Sequence, residues 1–294
     1  MYYLLYGIIY LFSLLPMPVM YLISDLLYEV VYHVTGYRKN VVMKNLRIAF
    51  PHKTEKERVQ IAKRFYRNFC DALVETLKMA SASQKFVQKH FTANYSLIND
   101  LHKTGKSLQV HLGHNFNWEI GNISVPPSIV YKSVAVYMPM RNKIVNRVML
   151  RIRTRFNNNF VAATNMKEDM LKHFNTQYIL WLVADQKPAD PTNAYWIKFF
   201  GKLTPFLRGP ERSARRNNFP VLFAHVKKVK RGYYHGYIEL VTMEPKDLQE
   251  GELTKMFVGY LEKVMTDQPE TWLWSHNRWK WDFNEEQFGK FVVD

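Results

Sequence analysis

The first 24 residues, MYYLLYGIIYLFSLLPMPVMYLIS, are apolar on every side and carry no Asp, Glu, Lys or Arg. An uncharged stretch of that length matches the roughly 20 residues needed to cross a bilayer core. It predicts an N-terminal membrane anchor, which we bound at residues 1–35. Pro16 and Pro18 interrupt it, and proline kinks a helix interior. A tilted or partly embedded segment in the interface is therefore an alternative to a clean span, and a buried core helix is another. The basic start and small-residue cleavage site of a signal peptide are not there. Arg38, Lys39, Lys44 and Arg47 follow with no acid among residues 37–47, which by the positive-inside tendency puts that flank, and the chain after it, in the cytoplasm.

Past the anchor the pattern becomes periodic. In HKTEKERVQIAKRFYRNFCDALVETLKM, Ala62, Tyr66, Phe69, Leu73 and Leu77 recur at helical spacing, and Thr54 with Glu57 forms a capping box. Short apolar runs then alternate with helical stretches: SLQVHL, WEIGNI, KSVAVYM, NKIVNRVMLRIRTRF, YILWLVA, LRGPERSARRN, FPVLFAHV and YYHGYIELVT. Such alternation predicts an α/β fold, a single domain over residues 36–294 with a central, largely parallel sheet flanked by helices. The last two runs, separated by KKVKRG, predict an antiparallel hairpin at the sheet edge.

Ligands of open α/β sheets bind beyond the carboxyl ends of the strands, and His114 falls there, after LQVHLG. Gly113 permits a tight turn and close approach to the backbone, while Asn115 and Asn117 are available as helix caps. If a helix begins near Asn117, Glu119 lies about one turn from His114. Its carboxylate would take the proton of one imidazole nitrogen and leave the other basic, a general base with an orienting acid and a substrate hydroxyl as nucleophile. In the bland alternative His114 only satisfies a loop and Glu119 only faces the positive helix end. Spacing proves little, since His52 and Glu57 repeat it with Glu57 already committed to a cap. His111, within the strand, reads as structural.

Charge adds a partner class. Lys and Arg number 41 against 25 Asp and Glu, a net charge of +16, so the natural partners are polyanions: nucleic acid, an anionic bilayer or a phosphorylated substrate. Lys143, Arg147, Arg151 and Arg155 stand at i+4 steps, with Val145, Met149, Ile152 and Phe156 as the packed side. Either this row is a solvated face or, with Arg153, Arg208, Arg212, Arg215 and Arg216, it binds phosphates, acidic sugars or the bilayer, for which guanidinium groups are suited. The lone cysteine, Cys70, cannot form an internal disulfide and reads as a packed core thiol. Trp272, Trp274, Trp279 and Trp281 cluster beside His276 and Arg278, at a membrane interface or folded back into the core. No zinc-type histidine or cysteine spacing and no phosphate-binding glycine loop is present, so neither a metal nor a nucleotide cofactor is expected.

With these residues in view, the chain resembles the late lipid A acyltransferases, a branch related to the lysophospholipid acyltransferases. GHNFNWE is similar to that family's histidine, four residues, acid motif. VYMPMRN (136–142), RIRTRFNN (151–158), VADQKP (183–188), IKFFGKLTPFLRGPERSARRNNFPVLF and WLWSHNRWK follow its later blocks in order. Asn157 stands where members often have glycine, and Asn tolerates left-handed backbone. Met138, Asn115 and Phe116 also depart from the commoner residues. The resemblance implies an O-acyltransferase moving a fatty acyl chain from an acyl carrier protein or coenzyme A thioester to a hydroxyl of a lipid A precursor, at the cytoplasmic face of a bacterial inner membrane. His114 and Glu119 would be its catalytic pair, and on the resemblance alone Arg141, Asp185 and Gln186 join the substrate-binding residues; Asp185 also follows a strand-like run. Two other readings stay open: acyl transfer to a lysophospholipid or glycolipid, and a membrane-tethered basic binding protein without catalysis.

Overall fold

The computed structural model describes residues 1–156 and 158–293; Asn157, expected in a left-handed turn, lies outside them. The apolar N-terminus forms helices α1 (Tyr2–Ser13) and α2 (Met17–Tyr28), the latter continued by a π-helical stretch, Glu29–Val34. The chain bends by 112° between them, and among the described residues no single helix is long and apolar enough to cross a membrane. Pro16 and Pro18 at the start of α2 account for the break. Leu4, Ile8 and Leu11 of α1 and Leu22 and Leu26 of α2 are nonetheless exposed.

Helix α3 (Lys39–Ala49) leads to α4 (Glu55–Lys78). The Thr54–Glu57 box is formed, with the Thr54 amide donating to Glu57 Oε2 at 2.7 Å and the Glu57 amide to Thr54 Oγ1 at 3.3 Å. The buried face of α4 differs from the expected stripe: Leu73 is exposed, whereas Cys70, Asp71, Val74 and Glu75 are buried. Two acids on the core side hid this face, because a hydrophobic pattern does not register polar groups that are satisfied by partners inside. Burial pushes the Cys70 thiol up to about 12, which suits a packed, unreactive group.

The chain continues through α5 (Gln84–His90), β1 (Phe91–Ala93), α6 (Ser96–His102), β2 (Leu108–Leu112), α7 (Trp118–Ile123), β3 (Lys132–Tyr137), α8 (Lys143–Arg153), β4 (Asn159–Ala162), α9 (Met166–Met170) and β5 (Tyr178–Val183). It then forms a separate antiparallel hairpin of β6 (Ala194–Phe199) and β7 (Lys202–Leu207), followed by α10 (Gly209–Asn217), β8 (Val221–Lys230), β9 (Tyr233–Thr242) and α11 (Glu252–Asp267). The main sheet has seven strands in the order β1-β9-β8-β2-β5-β3-β4, and every pairing but β8 with β9 is parallel. The result is the α/β domain that the alternating runs predict. The hairpin is not at the edge, however, because β1 pairs outside β9 and β8 pairs with the central β2.

All five positions of β2 are buried, as expected of a strand covered on both sides. Its alternate residues divide the core. Leu108, Val110 and Leu112 join one apolar cluster, while His111 stacks near Phe223 and Phe257 on the other face. His111 contacts Gln109 Nε2 at 2.6 Å, and burial drives its pKa down to about 3, a neutral core histidine. The Trp-rich block folds inward: Trp272, Trp274 and Trp279 are buried in the cluster that includes α4 and α11.

Candidate active site

The register of two strands builds the site. Parallel neighbours β2 and β5 align Leu112 with Val183, and each is followed by one small residue, Gly113 or Ala184, and then by a polar one, His114 or Asp185. Equal offsets on adjacent parallel strands carry both side chains out of the same sheet end. A Cβ on Gly113 would come within 2.9 Å of the Leu261 side chain and 3.3 Å of Asp185 Oδ2, so the absent side chain is what lets the two loops close.

His114 Nδ1 lies 2.5 Å from Asp185 Oδ1, and the His114 amide donates to Asp185 Oδ2 at 2.8 Å. The Trp272 indole N–H donates to the same Oδ2 at 2.6 Å. A carboxylate only accepts, so Nδ1 carries the proton and Nε2 is the free base. On that side the Gln186 amide nitrogen is 3.2 Å from Nε2. The Asp185 side chain is 1% exposed and that of His114 16%, which places the acid inside and the imidazole at the boundary. Burial works to raise the Asp185 carboxyl, but the facing His114, its two hydrogen bonds and Trp272 outweigh it and hold the group below the usual range. His276 accepts the Lys187 N–H at 3.3 Å, steadying the loop after Asp185, and burial takes its pKa down to about 4.

Glu119 is placed otherwise than the spacing suggested. Asn117 caps α7, accepting the amides of Glu119 and Ile120 at 3.1 and 3.3 Å. Glu119 in that first turn faces α8, where both of its oxygens accept from Arg153, one from Nε at 2.9 Å. The acid at His114 Nδ1 is thus Asp185, and the acid of the four-residue motif holds an arginine. The residue that intervenes is Trp118, whose ring meets the His114 ring edge-on at 5.1 Å.

Four more of the cations are engaged by protein. Arg147 and Arg151 lie over the Tyr2 and Tyr6 rings of α1 at 4.2 and 4.4 Å. Arg155 donates to the Met79 and Ala82 carbonyls. Arg208 pairs with Glu250 and covers Tyr195. Arg141 is exposed in the loop between β3 and α8. The packed side of α8 is Val148 and Ile152, and Val145 is exposed. Of the residues singled out in the sequence, His114, Asp185 and Gln186 touch one another, Glu119 and Arg153 form a second pair, and Arg151, Arg155 and Arg208 go elsewhere. Trp272 was not singled out as a site residue. Its signal was the apolar block itself, which put an indole N–H in the core where it needs an acceptor.

Beside the pair, between α7 and the sheet, runs a narrow apolar cavity lined by Leu112, Trp118, Ala135, Trp181, Ala224 and Val226 among others. Among the described residues, no group of three or more His, Cys, Asp or Glu is arranged to hold a metal ion.

The sequence model of the family described as bacterial lipid A biosynthesis acyltransferase matches residues 1–281. The chain is 22% identical over 277 residues to a lipid A biosynthesis palmitoleoyltransferase of Escherichia coli (strain K12), an alignment covering 93% of this chain and 89% of that protein. It is 21% identical over 282 residues to a lipid A biosynthesis lauroyltransferase of the same organism, with the same coverage.

Proposed function

Because the chain belongs to the bacterial lipid A biosynthesis acyltransferase family, we propose that it transfers a fatty acyl chain from a thioester of acyl carrier protein or coenzyme A to a hydroxyl of a lipid A precursor. In this reading His114 is the general base and Asp185 the acid that orients it. The observation that carries the reading is the contact of His114 Nδ1 with a buried carboxylate at 2.5 Å, with Nε2 left on the outer side.

The acceptor hydroxyl gives its proton to His114 Nε2 as its oxygen attacks the thioester carbonyl carbon. Asp185 stabilises the imidazolium that forms. The tetrahedral intermediate expels the thiolate, and Nε2 returns the proton to sulfur, leaving an ester, a thiol and a neutral imidazole. The Gln186 amide, 3.2 Å from Nε2, is the nearest side-chain donor for the oxyanion. Glu119 keeps Arg153 on the α7–α8 side of the site, where a bound guanidinium suits an anionic acceptor. Arg141, exposed in its loop, is assigned to the same acceptor. The exposed leucines and isoleucine of α1 and α2 suit a helix pair lying in the interface of the inner membrane, with the site on the cytoplasmic side.

Purified protein given an acyl thioester and a lipid A precursor should form the acylated product, and lipid from a deletion strain should contain lipid A short of one acyl chain. Unchanged lipid A together with acylation of a lysophospholipid in vitro would move the assignment to that acceptor. Absence of any turnover would leave only binding.

The cavity beside Trp118 is assigned to the acyl chain. Ala224→Leu puts methylenes into it and should shift preference toward shorter donors. Losing room for two methylenes costs about 1.6 kcal/mol, roughly tenfold in relative kcat/KM. An unchanged chain-length profile would remove the cavity from the donor site.

A further inference from the structure

Helix α4 carries two buried acids one turn apart, Asp71 and Glu75. Asp71 is held by cations and a hydroxyl: Arg231 Nη2 at 2.7 Å, Lys228 Nζ at 3.4 Å and Ser24 Oγ at 2.8 Å. Among the described residues, Glu75 has no cation among its hydrogen-bond donors. Its Oε1 accepts from the Tyr21 hydroxyl of α2 at 2.9 Å. Its Oε2 accepts from Tyr234 of β9 at 2.7 Å and from the Asn117 side-chain amide at 2.9 Å. The place is built for this contact, since a Cβ on Gly232, in the β8–β9 turn, would collide with the Tyr21 hydroxyl.

Asn117 is the joint. Its Nδ2 donates to Glu75 while its Oδ1 caps α7, three residues after His114. The opposite side of this loop is fixed by the C-terminal block, with the Phe116 amide donating to the Thr271 carbonyl at 2.8 Å and the Leu273 amide to the His114 carbonyl at 3.1 Å. The α4 side of the turn is therefore tied through Glu75, and through Glu75 to the N-terminal helices.

Resting on the acyltransferase reading, we propose that Glu75 is a positioning residue that couples the seating of the N-terminal helices on the domain to the placement of His114. Glu75 touches no reacting atom. It sets the turn that carries the base, and α2 sets Glu75. Its three donors are uncharged, in keeping with a role as a hydrogen-bond hub, and burial pushes its carboxyl up. A glutamine can therefore replace it: the amide oxygen takes the two donors at the Oε2 position, and the amide nitrogen faces the Tyr21 oxygen, which also accepts.

The test compares Glu75→Gln, Glu75→Leu and Tyr21→Phe in the full chain. Turnover with an acyl thioester and a lipid A precursor is measured together with the substrate-free rate at which diethyl pyrocarbonate modifies His114, read by mass spectrometry against the exposed His33. Glu75→Leu should lower kcat on the order of 10- to 100-fold, as small misplacements of a catalytic group do. KM for the thioester should stay within about threefold, and the His114 modification rate should change. Glu75→Gln should stay near wild type in all three, and Tyr21→Phe should fall between. The proposal is overturned if Glu75→Leu leaves kcat and His114 reactivity unchanged, if Glu75→Gln falls as far as Glu75→Leu, or if only Tm moves. A wild-type protein without acyl transfer would sink the functional reading instead, while the His114 rates would still decide the coupling.

Discussion

Replacing His114 by alanine is expected to lower kcat by about 10²- to 10⁴-fold, the usual worth of a positioned general base, with KM for the thioester little changed. The imidazole sits at the boundary of the core rather than inside it, so the fold is expected to persist. Its loss leaves Asp185 Oδ1 without its partner, although Oδ2 keeps the backbone amide and the Trp272 indole. One lost hydrogen bond to a buried charged group costs about 1–3 kcal/mol. Activity measured below the lowered Tm therefore separates chemistry from stability. Retained turnover in a folded His114→Ala protein would end the mechanism.

The second large effect is expected from Asp185→Asn. The asparagine amide fits the same space, but if its NH2 faces Nδ1 it stabilises the tautomer protonated on Nε2, which cannot accept the acceptor's proton. A loss on the order of 10³- to 10⁴-fold at neutral pH is expected, the scale of this substitution in Ser-His-Asp enzymes. Stability gives an independent readout. The Asp185 carboxyl is held below its ordinary value of 3.8 in the folded state, so the group contributes stability fully above that pH and loses it as pH falls through the lower folded value. The variant should be less stable than wild type at neutral pH, with the gap closing on acidification below about 4. A constant gap across that range would mean that Asp185 is not ionised in the folded protein.

SLQVHL, YILWLVA and FPVLFAHV were legible because β2, most of β5 and the first half of β8 are buried on both faces, and KSVAVYM, where only Val134 and Ala135 are buried, showed through its apolar run. β1 and β4, of three and four residues, are too short for a period to show. Of the separate hairpin, β7 and the second half of β6 lay inside a stretch read only as a family block, and Ala194–Trp196 lay outside any run that was read. The position of His114 was legible from the strand ahead of it, whereas its partner was not, for a geometric reason. Sequence spacing describes proximity along one helix, but α7 begins only at Trp118, and Glu119 leaves its first turn toward Arg153. The acid comes from the next strand, across 71 residues of sequence. A signal was present in the matched form of the two runs, apolar strand, one small residue, then a polar one, and it becomes readable once β2 and β5 are known to be neighbours in register.

The cation row on α8 carries a similar lesson. Four like charges at i+4 steps looked free to meet a phosphate, yet Arg147 and Arg151 lie on tyrosines of α1. Aromatic rings are invisible to a charge count, and Tyr2 and Tyr6 belong to a stretch whose apolar character had assigned it to lipid. That stretch is amphiphilic in a second sense, with one side turned to the enzyme.

The tie between Trp272 and Asp185 also orders events in time. Synthesis releases the N-terminal helices well before the indole, so α1 and α2 can form before the acid is clamped. Until the tryptophan arrives, Asp185 Oδ2 has only the His114 amide to hold it, so this corner of the fold closes last.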